Sequence, residues 1–112
     1  MKITDIVSAL DLTVVSGING LHREVTGGYV SDLLSDVIGN AREGNVWITL
    51  QTHQNIMAVA SLKDLAAVII VNGAKPETET IRKSNEENIP VLSTGAGTFI
   101  IAGMLYELIK TK

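Results

Sequence analysis

The chain has 112 residues, a length that fits one hydrophobic core and leaves little for a second, so the expectation is one domain spanning residues 1–112. Hydrophobic residues make up 46% and charged residues 19%, too apolar a balance for an intrinsically disordered chain. The net charge of −3, with lysines and arginines scattered, excludes the concentrated basic face that nucleic-acid binding needs. With no cysteine there can be no disulfide, thiolate nucleophile or thiolate metal site, and the expected compartment is the reducing cytoplasm. Asp5 falls where a secretion signal would place its apolar core, and the longest apolar stretch, Phe99 to Tyr106, is far short of the roughly 20 residues of a membrane span.

Taken in order, Thr4 reads as the N-cap of a short helix with Ile6, Val7 and Leu10 on one face. Leu12-Thr13-Val14-Val15 follows as a strand stopped by Gly17, and His22 to Val30 is an extended segment broken by a turn or bulge at Gly27-Gly28. Leu34, Val37, Ile38 and Ala41 then take the i, i+3, i+4, i+7 spacing of a helical face, capped by Ser31 and stopped by Gly44. Val46 to Leu50 is a strand, and Ile56, Val59, Ala60 and Leu62 return to helical spacing.

Ala67 to Val71 is a continuous apolar run, the pattern of a strand buried on both faces. It turns at Asn72-Gly73-Ala74-Lys75 into a polar helix opened by Pro76, expected to lie on the surface. Pro90 to Ser93 forms a last short strand and Thr98 to Lys110 a last helix. Strands alternating with helix-length crossovers imply parallel pairing, and the first half can add antiparallel edges. The expected fold is a three-layer α/β/α sandwich with a mostly parallel, mixed sheet.

Ligands of open α/β sheets bind where loops leave the C-terminal ends of parallel strands. Three loops qualify: Gln51 to Gln54, Asn72 to Lys75 and Ser93 to Thr98. Within them Thr52, His53, Asn72, Gly73, Gly95, Gly97 and Thr98 are the candidate ligand-binding residues, suited by glycine, hydroxyl and imidazole chemistry to a nucleotide or other anion. The dinucleotide pattern G-x-G-x-x-G fails at Ile100, and no phosphate-loop signature is present. Asp32 and Asp36, four residues apart, could share a cation, although such a pair usually marks the wet side of a helix. His22 and His53 lack the short spacing of a zinc site, and no nucleophile has a base at a recognisable interval. Neither catalysis nor a cofactor is expected. The last helix is apolar nearly all round, which a domain of this size cannot enclose, so Phe99, Ile100 and Met104 are candidate interface residues of a homodimer.

The order of these loops resembles the DRTGG domain, a module related to the N-terminal domain of HPr kinase/phosphorylase. It is found in phosphotransacetylases and beside CBS domains in some pyrophosphatases. The family's strand ending in Ile-Thr, its Gly-Asp-Arg loop and its Asp-Ile helix start are matched by Trp47 to Ile56. Its apolar strand and Thr-Gly-Gly are matched by Ile69 to Ala74, and its Pro-Val strand and Asp-Thr-Phe helix start by Pro90 to Thr94 and Gly97-Thr98-Phe99. The family's Asp-Arg is Thr52-His53 here, its Thr-Gly-Gly is Asn72-Gly73-Ala74, and its last Asp is Gly97. The earlier Thr26-Gly27-Gly28 lies ahead of the first strand-turn-helix unit and is not the motif. The resemblance implies a stand-alone, non-catalytic regulatory or interaction module that docks on an enzyme or sensor protein.

Overall fold

A computed structural model describes residues 1–111. The first helix, α1 (Ile3–Leu10), leads into β1 (Thr13–Ser16), and β2 (Gly27–Val30) into α2 (Leu34–Asn40). Three further strand-helix pairs follow: β3 (Asn45–Thr49) with α3 (Asn55–Leu62), β4 (Ala67–Ile70) with α4 (Thr78–Glu87), and β5 (Val91–Ser93) with α5 (Thr98–Lys110). The strands form one sheet in the order β1-β5-β4-β3-β2. Strands β2 to β5 are parallel, and β1 closes one edge antiparallel to β5. The mixed, mostly parallel sheet expected from the alternation is therefore present.

Side chains alternate across the sheet as strand geometry requires. Val46, Ile48, Ala67, Ile69 and Leu92 face α1 and α5, packing on Ile3, Ile6, Ile101 and Leu105. Trp47, Val68, Ile70 and Val91 face the other way, into a core that takes Val37 from α2, Ala41 just after it, and Ile56, Met57 and Ala60 from α3. Because β2 to β5 lie side by side in chain order, their crossover helices α2, α3 and α4 share one face, as connections of one hand demand. The opposite face is left to two helices.

Several boundaries differ from those read in the sequence. Gly27 and Gly28 are neither turn nor bulge: they pair in register with Asn45 and Val46 as the first half of β2. Helix α1 starts from Lys2 rather than Thr4, with the Asp5 carboxylate accepting the Lys2 backbone N–H at 2.8 Å. Helix α2 has Leu33 as N-cap and Ala41 as C-cap, so Ser31 acts two residues early, its hydroxyl accepting the Leu33 N–H at 3.1 Å. Helix α4 begins two residues later than expected, at Thr78, with Glu77 as the N-cap and Pro76 just outside it.

Helix α4 also departs from a purely surface helix. Thr80 and Ser84 are fully buried while Ile81 is half-buried. The Thr80 hydroxyl donates to the Thr52 carbonyl at 2.7 Å, and Ser84 donates to the Ile89 carbonyl at 2.6 Å while accepting from Ser16 at 2.9 Å. Hydroxyls bury without penalty when paired, which hydrophobic periodicity does not register.

Candidate functional site

The loops after β2, β3, β4 and β5 all emerge at one end of the sheet because those strands are parallel. The β2–α2 loop contributes Asp32, whose carboxylate accepts the Thr49 hydroxyl and the Leu50 N–H, both at 2.8 Å. The Gln51 side-chain amide donates to the Asp32 carbonyl at 2.8 Å, so this acid fixes the start of the β3–α3 loop. Asp36 points elsewhere, accepting from the Tyr29 hydroxyl at 2.8 Å and from Asn40 at 2.9 Å. The Ser31 and Tyr29 side chains hold its carboxyl below the usual carboxylate range, and the same bond raises the Tyr29 phenol above its usual value. The two acids do not converge, and no group of three or more potential ligands for a metal exists among the described residues.

The β4–α4 and β5–α5 loops are stitched to each other. Asn72 and Gly73, consecutive residues in the left-handed region, donate their N–H groups to the carbonyls of Ala96 and Thr94, both at 2.9 Å. Ala96 in turn donates to the Thr94 hydroxyl at 3.1 Å. These amides were candidates to cradle an anion, and the fold uses them to join two loops. The Thr52 carbonyl is likewise taken by Thr80 and by the Glu77 N–H at 3.1 Å. His53 is exposed, its Nδ1 accepting the Asn55 N–H at 3.1 Å beside the start of α3.

Two places at this end remain open to a ligand. A hollow of about 370 Å³ is lined by Gly73, Gly95, Thr13, Ser93 and Thr94, and Lys75 is its charged member. Lys75 lies in one of the three candidate loops but is not among the candidate binding residues, because an isolated lysine carries no spacing signal. Gly97 and Thr98 form the second place, the N-terminus of α5, where the first helical bond runs from Ile101 N–H to Gly97 carbonyl and the amides of Thr98, Phe99 and Ile100 precede it.

A group of exposed apolar side chains lies along α5. Phe99 is 86% exposed, Tyr106 66%, Ile100 55% and Met104 42%, whereas Ile101 and Leu105 on the opposite side are buried. Helix α5 thus packs one side on the sheet and leaves Phe99, Ile100, Met104 and Tyr106 exposed. No helix among the described residues is long and apolar enough to cross a membrane.

A mixed sheet whose crossovers all lie on one face, with a knitted loop cluster at its carboxyl end, defines a small α/β domain. The chain belongs to the DRTGG domain family, whose model matches residues 5–108. In fold it is similar to the crystal structure of the CBS and DRTGG domains of the regulatory region of Clostridium perfringens pyrophosphatase, complexed with the activator diadenosine tetraphosphate. The TM-score is 0.69 at 16% identity, over 93% of this chain and 45% of that one, so the chain spans less than half the length of that structure. No curated protein matches the chain in sequence.

Proposed function

We propose that the chain is a regulatory module without chemistry of its own, acting as a homodimer and docking on an enzyme or sensor protein. The observation that carries this reading is the uncovered face of α5. Phe99, Ile100, Met104 and Tyr106 form a contiguous apolar surface on a helix whose other side fills the core. Scattered exposed hydrophobics are ordinary, but a patch of this kind on one helix marks an interaction site. Membership of the DRTGG family supports the regulatory part of the reading, since the neighbour's DRTGG domain belongs to the regulatory region of its enzyme. Light scattering at micromolar concentration should return twice the chain mass; a monomer at every accessible concentration overturns the homodimer.

A second reading is favoured by Lys75. A sensor of nucleotides or other anions would use the Lys75 hollow, with its Ser93 and Thr94 hydroxyls, and the start of α5 at Gly97 and Thr98. The neighbour's complex with diadenosine tetraphosphate makes adenine nucleotides the first class to try. A ligand at 100 times its dissociation constant adds about 2.7 kcal/mol of stability, which thermal unfolding detects readily. A shift that disappears in Lys75→Ala supports the sensor. No shift with any adenine or guanine nucleotide retires it.

A further inference from the structure

The geometry points to one arrangement of two copies: α5 crosses α5 of the second copy about a twofold axis at Gly103, and Phe99 of each copy seats in a hollow beside α5 of the other. This rests on the homodimer proposed above and specifies its surface. Three observations carry it. First, α5 is flanked by two hollows. One, of about 600 Å³, lies between α5 and β2 and is floored by Gly27, Gly28 and Ile48. The other, of about 710 Å³, lies between α5 and α1 against Ala9 and Leu10. Phe99, Gly103 and Tyr106 border both. Two protruding rings beside two apolar hollows make a surface complementary to itself, which is what an isologous contact requires.

Second, Gly103 stands between the rings, four residues after Phe99 and three before Tyr106, on the face α5 turns outward. A Cβ built there meets nothing within 4 Å, so this glycine is not demanded by packing inside the chain. Glycine in a helix interior weakens the helix relative to alanine, and its usual benefit is close approach of another backbone. Third, the area suffices. With roughly 150–250 Å² per aromatic side chain, the exposed parts of Phe99, Tyr106, Ile100 and Met104 come to roughly 500 Å² per copy. Full cover of these side chains in two copies would bury about 1,000 Å², the threshold for a specific interface, before the walls of the hollows are added.

The absence of cysteine makes the test clean. At a twofold axis a residue meets its own counterpart, so Gly103→Cys should give a disulfide-linked dimer under mild oxidation, while Leu62→Cys, exposed on α3, stays monomeric on a non-reducing gel. Gly103→Leu should convert the dimer to monomer by light scattering, with unfolding at or above the wild-type midpoint at a dilution where both are monomeric, because the new side chain meets no obstacle in its own chain. Phe99→Glu, an acid in the first turn that the helix tolerates, should also give monomer. A wild-type dimer that survives both substitutions and fails to cross-link through Gly103→Cys overturns this geometry and leaves the homodimer standing. A wild-type monomer overturns both.

Discussion

Ser84 has no solvent exposure in a helix that otherwise carries the most polar sequence in the chain. Its hydroxyl links the Ser16 hydroxyl of β1 to the Ile89 carbonyl just before β5, so one side chain ties α4 to both strands at that edge. Ser84→Ala leaves a buried carbonyl and a buried hydroxyl short of partners. The expected cost is about 1–3 kcal/mol in urea unfolding. The Tyr29–Asp36 bond has a pH signature. The lowered Asp36 pKa makes its contribution present above ~4 and lost as pH falls through the folded value, and the raised Tyr29 pKa makes it vanish as pH rises past ~10. The stability difference between wild type and Tyr29→Phe should therefore be widest between those limits and close at either end. His53→Ala should leave stability nearly unchanged, since the imidazole is exposed and accepts one backbone N–H that water can satisfy.

At the scale of elements, two edges of the sheet are treated differently. Strand β1 carries an irregularity between Val14 and Ser16, and the chain leaves it through Gly17 at φ 72°. A Cβ on Gly17 would lie 2.5 Å from the Ile89 carbonyl oxygen, so Gly17→Ala combines an unfavourable backbone region with a clash against backbone. A loss of about 1–3 kcal/mol is expected in chemical denaturation, whereas Gly103→Ala should stabilise the monomer, because that site is helical and open within its own chain. Strand β2, at the other edge, pairs regularly through Gly27-Gly28-Tyr29-Val30, with neither charge nor proline to blunt it. That edge adjoins the hollow beside α5, which makes this side of the molecule the more adhesive one.

At the scale of the whole molecule, unequal coverage explains where the open surface lies. Strands β2 to β5 run in a single direction across the sheet, so three crossover helices cover one face and only α1 and α5 remain for the other. Hollows remain beside α5 on the sparsely covered face. The same monotonic order gives no reversal between adjacent parallel strands, the place where α/β sheets usually open a ligand crevice. At that end the Asn72 and Gly73 N–H groups donate to carbonyls of the β5–α5 loop instead. If a dimer forms, its thermal midpoint should rise with protein concentration, whereas that of Phe99→Glu should not.

The sequence by itself determined the alternation of strands and helices, the parallel core strands and the apolar excess of α5. These follow from backbone propensity and periodicity, which act over a few residues. Val68 and Ile69 read as buried on both faces because every position from Ala67 to Val71 is apolar, and Thr98 to Lys110 were legible as one helix to the residue. The family was legible because the loops keep their order even where Asp-Arg has become Thr52-His53. Tertiary structure alone decided that Gly27-Gly28 is strand rather than turn, since glycine's permissiveness is settled by the neighbouring strand that pairs with it. It alone decided that Thr80 and Ser84 are core, because a hydroxyl's burial depends on acceptors far away in sequence. And it alone showed which side of α5 is covered: an all-apolar helix does not say which face meets the sheet, and the packing of Ile101 and Leu105 leaves Phe99, Gly103 and Tyr106 outside.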